Sequence, residues 1–387
     1  MKILTVLTYY RPHTSGLTIY VERMAKALVE RGHDVTVLTS QFDPELPRRE
    51  TKEGVKIVRA PVLFRVSKGV IMPTLGYLAW KLVLDHDVIH LHLPQFDAAG
   101  VELRGRLLQK PTVLTYHCDL QLPKGWFNRF VNQVVHIMNY LAGTLAHRIV
   151  AYTEDFASHS PFLQRFEDKV EVILPPVELP EASEEEVAAF AAEHNPRGKS
   201  PVIGMATRFA TEKGVEVLLE ALPMILKRYP DTLVLYAGQY RDVMGEEEYF
   251  NRLLPKIQAY QSKGQWKFLG VLDPKEMTTF YPNLDVLVVP SLNSTETFGL
   301  VQIESMINGT PTVASNLPGV RQPPRMTGMG EVAAIGDADS LAEKILKIFN
   351  QPEKYQEDPD QIARQFNPQA NAAAYERLYQ ALLAELN

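Results

Sequence analysis

Two glutamates eight positions apart, Glu296 and Glu304, lie in the run Pro290-Ser-Leu-Asn-Ser-Thr-Glu296-Thr-Phe298-Gly299-Leu300-Val-Gln-Ile-Glu304, followed by Gly309 and Pro311. An apolar stretch, 285–289, precedes the run, which therefore falls at the carboxyl edge of a strand, where open α/β sheets take ligands. Phe298-Gly299-Leu300 opens a helix, and the first amides of a helix have no internal partner and suit an anion or a hydroxyl. Gly299 lets a ligand approach the backbone closely. Glu304 follows one to two turns into that helix, and an ionised carboxylate there accepts bonds from two adjacent hydroxyls. Carboxylates near a helix start are also favoured by the dipole alone. The strand before the pair and Gly299, Gly309 and Pro311 around it argue for a site.

A second loop carries cations. In Gly204-Met-Ala-Thr-Arg208-Phe-Ala-Thr-Glu-Lys213-Gly214 a strand ends near Ala206 and a helix begins near Gly214. Arg208 offers a bidentate contact to a diphosphate and Lys213 a point charge. Two further turns follow strands in the first half: Tyr9-Tyr-Arg11-Pro12-His13-Thr14-Ser15-Gly16, and Tyr116-His117-Cys118-Asp119. His117, at a strand end, is expected to face a crevice and donate to a ligand hydroxyl. Asp119 and His13 are the candidates for the acceptor side. No metal site is expected. His90 and His92 alternate along a strand and are expected on opposite faces of the sheet, and Asp337-Ala-Asp339 reads as a helix start with Asp339 as the cap.

The elements that position these loops alternate in type. Strand patterns at 2–8, 34–40, 55–60, 87–92, 112–117, 148–153 and 170–174 are separated by helical patterns. The first helix carries Leu17, Tyr20, Val21, Met24 and Leu28 on one face, with Gly32 as its stop. After Pro175-Pro176 and an acidic, Ala-rich stretch the alternation restarts, with strands at 202–206, 232–237, 266–269, 285–289, 311–314 and 331–335. This is the signature of parallel sheets made of βαβ units. The expected architecture is α/β: two Rossmann-like, doubly wound domains facing across a cleft. The first spans 1–177 and the second 178–367, and a closing helix, 368–387, packs back on the first.

The 387 residues exceed what one core comfortably supports. A net charge of −6 argues against a nucleic-acid partner. It hides an asymmetry: residues 1–177 hold 21 Lys+Arg against 17 Asp+Glu, and the remainder 19 against 29. One cysteine, Cys118, excludes an internal disulfide and suits a reducing compartment. The first apolar run reads as a buried strand and no stretch is long enough to span a bilayer, so a cytoplasmic location is expected. Peripheral membrane contact through the first domain is suggested by Lys124, Trp126 and Arg129, which lie off the apolar stripe of a helix, and by the basic-apolar segment 64–72.

With these residues in hand the chain resembles the retaining glycosyltransferases of family 4, which have the GT-B architecture. The resemblance runs through the Tyr-Tyr-x-Pro and Ser-Gly turn, Tyr116-His117, Arg208 with Lys213-Gly214, the Glu296 and Glu304 pair, and the closing helix. It implies a donor that is a nucleoside-diphosphate sugar and an acceptor that is a glycan, a lipid or a small molecule, with no cofactor or catalytic metal. It implies that Glu296 contacts and orients the transferred sugar and that Glu304 holds the ribose. Arg208 and Lys213 would bind the diphosphate, the amides at Phe298, Gly299 and Leu300 would meet sugar or phosphate, and His117 would bond the donor sugar. Gly16 would let the first loop approach the phosphates, though many members carry two glycines where this chain has Ser15-Gly16. The alternative within the same architecture is a nucleotide-sugar epimerase acting without an acceptor. A nicotinamide dehydrogenase is disfavoured, because the first turn lacks the G-x-G-x-x-G spacing.

Overall fold

The computed structural model describes residues 1–66, 69–119 and 126–386. The chain divides into two compact units, Met1–Pro176 with Phe366–Asn387, and Val177–Gln365. Each is built around one sheet, wholly parallel in the second unit and parallel but for one edge strand in the first.

Among the described residues the first unit has ten strands: β1 Lys2–Val6, β2 Asp34–Gln41, β3 Arg49–Lys52, β4 Val55–Pro61, β5 Phe64–Val66, β6 Gly69–Ile71, β7 Val88–Leu93, β8 Thr112–Tyr116, β9 Arg148–Ala151 and β10 Val170–Val172. Eight form one sheet in the order β10-β9-β8-β7-β1-β2-β4-β3. β7 and β8 are buried at every position, as expected for strands covered on both faces. From β1 the chain winds outward to β2 and β4, then crosses back to β7 and winds the other way. The order thus reverses between β1 and β7, a topological switch point. All neighbours are parallel except β3, an antiparallel edge strand. Its Arg-Glu-Thr-Lys sequence has no apolar alternation to announce it. The β5–β6 hairpin is a separate two-stranded sheet.

The helix Gly16–Glu30 buries Thr18, Tyr20, Val21, Met24, Ala25, Ala27 and Leu28, and the Ser15 hydroxyl caps it by accepting from the Thr18 amide. The closing helix, Pro368–Leu386, packs against it. Tyr20 and Tyr375 share a hydroxyl–hydroxyl hydrogen bond of 2.7 Å, and Asn371 donates to the Leu174 carbonyl at 2.7 Å.

The second unit has six strands: β11 Val202–Ala206, β12 Leu233–Ala237, β13 Trp266–Gly270, β14 Val286–Val289, β15 Thr312–Ser315 and β16 Gly330–Ala333. They are all parallel, in the order β13-β12-β11-β14-β15-β16. Here the reversal lies between β11 and β14. One core packs Ile203, Leu218, Val234 and Val286 on one face, and another packs Leu235, Phe280, Leu287 and Ala314 on the other. The helix Ala338–Asn350 is capped by Asp337, whose carboxylate accepts from the Ser340 amide. The cap therefore lies two residues before the expected Asp339, because the helix starts at Ala338. Among the described residues no helix is long and apolar enough to cross a membrane.

Candidate functional site

The loops after β11 and β14 meet at the switch point of the second unit, and backbone geometry interlocks them. Gly214 has φ +69°, and a β-carbon there would lie 2.1 Å from the Pro290 carbonyl oxygen, so only glycine fits. The Leu292 amide donates to the Glu212 carbonyl at 2.9 Å. Asn293 shapes the second loop: its side-chain oxygen accepts from the Thr295 amide at 3.1 Å and the Thr295 hydroxyl at 2.6 Å.

This frame brings Lys213 and Glu296 together, with Nζ to Oε2 at 2.7 Å and both side chains partly buried. Arg208 is more open and pairs with Glu212 at 3.1 Å. Phe298 is buried, and its carbonyl accepts from the Gln302 side-chain amide at 2.7 Å. Gly299, at φ +76°, turns the chain into the short helix Leu300–Met306. Glu304, on that helix, is buried, and the Tyr281 hydroxyl donates to its Oε2 at 2.8 Å. Asn308 donates to its carbonyl at 2.8 Å. All the second-domain candidates, Arg208, Lys213, Glu296, Phe298, Gly299, Leu300 and Glu304, therefore lie on the two loops and the helix that follow β11 and β14. A partly buried lysine beside a carboxylate, a more exposed arginine on the same loop, and a second, hydrogen-bonded carboxylate on the following helix can bind an anion and a polyol together.

The first-unit candidates are arranged differently. His117 is buried, and both its ring nitrogens are engaged: Nε2 with His92 Nδ1 at 2.9 Å, and Nδ1 with the Tyr152 hydroxyl. The expected display of an N–H to a ligand is not what this conformation offers, and the ring belongs to an interior network. The expectation for His90 and His92 is corrected as well. Residues two apart on a strand share a face, and the two rings lie 4.3 Å apart, centroid to centroid. His90 bonds the Thr115 hydroxyl and the Tyr379 hydroxyl, each at 2.7 Å, and Thr115 bonds Tyr375 at 2.7 Å. Burial holds His90 and His117 neutral, with pKa pushed down to about 3, and pushes His92 down as well.

Asp119 accepts from the Tyr116 hydroxyl at 2.9 Å and the Ser160 hydroxyl at 2.8 Å, and burial raises its pKa. His13 stacks on Tyr9 at 4.9 Å. Gly16 is exposed at the helix start, and a β-carbon there would meet nothing within 4 Å. Lys124 and residues 67–68 lie outside the described residues, as does the side chain of Trp126. Among the described residues no group of three or more His, Cys, Asp or Glu is arranged to hold a metal ion.

Sequence reasoning missed Glu212, Tyr281 and Asn293. Glu212 stands four residues from Arg208, a spacing at which charges meet. Tyr281 has no local signal, since its partner is 23 residues away.

Comparison with known families matches residues 14–180 to Glycosyltransferase Family 4 and residues 187–366 to Glycosyl transferases group 1. The chain belongs to the family 4 glycosyltransferases. A glycosyltransferase of Methanocaldococcus jannaschii, described as uncharacterized, is 28% identical over 83% of this chain and 82% of its own length. The phosphatidyl-myo-inositol mannosyltransferase of Mycolicibacterium smegmatis is 26% identical over 90% of this chain and 85% of its own. Among solved structures, Anabaena HepE in complex with UDP superposes with a TM-score of 0.77 at 18% identity, covering 98% of this chain and 100% of that one. This likeness establishes the GT-B fold of the family 4 enzyme.

Proposed function

We propose that the enzyme transfers a hexose-type sugar, with retention of anomeric configuration and without a metal, from a nucleoside-diphosphate sugar to a hydroxyl of a glycan, lipid or small-molecule acceptor. The observation that carries this reading is the convergence of Arg208, Lys213, Glu296 and Glu304 at one switch point. Arg208 and Lys213 take the diphosphate and stabilise the charge that builds on it as the sugar leaves. Glu304, held by Tyr281, accepts from the ribose hydroxyls. Glu296 lies beside the sugar and positions it. The acceptor attacks the face the leaving group departs from, and a phosphate oxygen takes its proton. HepE, of the same fold, has been solved with UDP-glucose, which supports a donor of that class.

Peripheral contact of the first unit with an anionic membrane surface, where a lipid-linked acceptor would lie, is part of this reading. The helices Leu75–Asp85, Ala98–Leu107 and Trp126–Leu145 pack in series and expose Tyr77, Trp80, Leu84, Leu103, Leu107, Phe130, Ile137 and Leu141. Lys81, Arg106 and Arg129 are interspersed among them, a pattern that fits an interfacial contact.

The decisive assay incubates the dialysed enzyme in excess EDTA with UDP-, GDP- and ADP-sugars, with and without acceptor-containing lipid extract. Product anomers are then read by NMR. Transfer that needs the acceptor and keeps the donor's anomeric configuration is expected. Inversion, or activity restored only by Mg²⁺ or Mn²⁺, would overturn the corresponding part. Sedimentation with phosphatidylglycerol vesicles, but not with neutral ones, is expected of the membrane contact.

A further inference from the structure

The Lys213–Glu296 pair joins two groups that the donor would need separately. Their meeting is built into the backbone. The Gly214–Pro290 approach, the Leu292-to-Glu212 hydrogen bond and the Asn293-centred turn fix the two loops without help from either side chain. The side chains are only 16% and 23% exposed, so solvent and salt screen them less than an open pair. The neighbouring Arg208 is 51% exposed, and its pairing with Glu212 is of the weak surface kind.

A diphosphate arriving at this site must take Lys213 from Glu296, and the released carboxylate then stands beside phosphate oxygens, a like-charge contact. An intact donor softens this conflict, because the sugar lies between. As the bond from C1 to the phosphate oxygen breaks, its electron pair goes to that oxygen. Negative charge grows beside Lys213 and positive charge on the sugar, beside Glu296. Once the sugar has left, only the repulsion remains.

We propose that Glu296 is the internal counter-ion of Lys213, which competes with the diphosphate for that cation and thereby loosens the hold of the product nucleotide. The inference rests on the donor-site reading above and goes beyond it. A carboxylate that only touches sugar has no effect on a nucleotide that carries none.

The test is calorimetric titration of the full chain with UDP, GDP and ADP, taking the tightest binder, and then with inorganic pyrophosphate. The proteins are the wild type, Glu296→Gln, Glu296→Ala, Lys213→Ala, Lys213→Ala/Glu296→Gln and Glu212→Gln. Glu296→Gln keeps the shape and removes the charge. It should bind nucleoside diphosphate and pyrophosphate about tenfold more tightly, equivalent to about 1.4 kcal/mol, and show correspondingly stronger product inhibition. Glu296→Ala should tighten binding in the same direction. The gain should vanish on the Lys213→Ala background, and Glu212→Gln should change affinity less than about twofold. If Lys213→Ala weakens binding while both Glu296 variants leave it unchanged or weaken it too, the counter-ion role is wrong and the site reading stands. If Lys213→Ala has no effect, the site reading fails and the proposal falls with it.

Discussion

The two units carry the same device at their switch points and fill it with opposite chemistry. In each, the first strand (β1 or β11) leads through a loop and a glycine into a helix, and a second strand (β7 or β14) stands across the reversal. Around β11 and β14 the loops carry Arg208, Lys213, Glu212 and Glu296, paired as ions. Around β1 and β7 the interior holds the neutral groups His90, His92, His117, Tyr20, Tyr152, Tyr375 and Tyr379. The topology supplies position in both cases. Whether the position is charged and within a ligand's reach or neutral and sealed depends on a handful of side chains.

The largest difference should appear with pH. Of the ten histidines, His194 alone lies in Val177–Gln365. In the first unit burial lowers the pKa of His90 and His117 from 6.5 to about 3 and that of His92 well below its ordinary value. A group with a depressed folded pKa binds protons in the unfolded chain first. The stability these histidines contribute is therefore complete above about pH 6.5 and falls as the pH drops toward 3. The slope is on the order of 1.4 kcal/mol per pH unit for each histidine. Glu102, buried and raised from 4.5 to about 8, and Asp97, raised from 3.8 to about 6, run the other way and offset part of this loss. Hydrogen exchange at pH 7 and pH 5, corrected for intrinsic rate, should show 86–117 and 368–386 losing protection while 202–237 and 286–315 keep theirs. Equal loss in both units would break the contrast.

Glycine separates the units next. Gly214 stands at the cap of one switch-point helix and Gly16 is the first residue of the other, yet an added β-carbon collides with Pro290 at the first and meets nothing at the second. Gly214→Ala should cost roughly 2–4 kcal/mol of second-unit stability, the range for forced backbone strain. Gly16→Ala should change stability by less than about 0.5 kcal/mol. Denaturant midpoints of the two variants test this, and a large loss in Gly16→Ala would show a constraint in the first unit that the geometry does not reveal.

The same contrast explains what was legible in the sequence. Parallel strands buried on both faces announce themselves as apolar runs, so two doubly wound α/β domains and every parallel core strand could be read, while the GT-B class came from the resemblance to family 4. β3 could not, because a polar edge strand has no periodicity to detect. Glu296, Glu304, Arg208 and Lys213 stood out through their spacing around Gly299 and Gly214, where local chain geometry and chemistry coincide. The His–Tyr network escaped. It joins β7, β8 and the first and last helices, contacts hundreds of residues apart in sequence, as with Tyr20 and Tyr375. The expected split of His90 and His92 misapplied the two-residue repeat, which puts them on one face.

A smaller effect, confined to ligand binding, tests the charged half directly. Arg208→Ala and Lys213→Ala should each weaken nucleoside-diphosphate binding by about 1.5–3 kcal/mol, the range for hydrogen bonds to charged groups. Arg208 should sit at the low end, since half its side chain is in solvent. Equal losses for the two would mean that burial does not grade their contributions.

The smallest expected effect belongs to Tyr281, which should touch no ligand. Its hydroxyl donates to Glu304 at 2.8 Å, and its carbonyl accepts from the Thr310 hydroxyl at 2.6 Å. Tyr281→Phe keeps that carbonyl and the ring's packing on Phe280 and deletes one hydrogen bond to the carboxylate. Glu304 is buried, so the lost bond is not fully replaced by water, and the carboxylate gains rotational freedom. If Glu304 reads the ribose, nucleoside-diphosphate affinity should fall by about 1 kcal/mol. The preference for the ribonucleotide over its 2′-deoxy analogue should narrow with it. Stability loss alone cannot produce that narrowing, because both ligands bind the same folded protein. The measurement is therefore the ratio of the two dissociation constants, in wild type and Tyr281→Phe, beside their melting temperatures. A lower melting temperature with an unchanged ratio would leave Tyr281 a packing residue and remove the support it gives to ribose reading by Glu304.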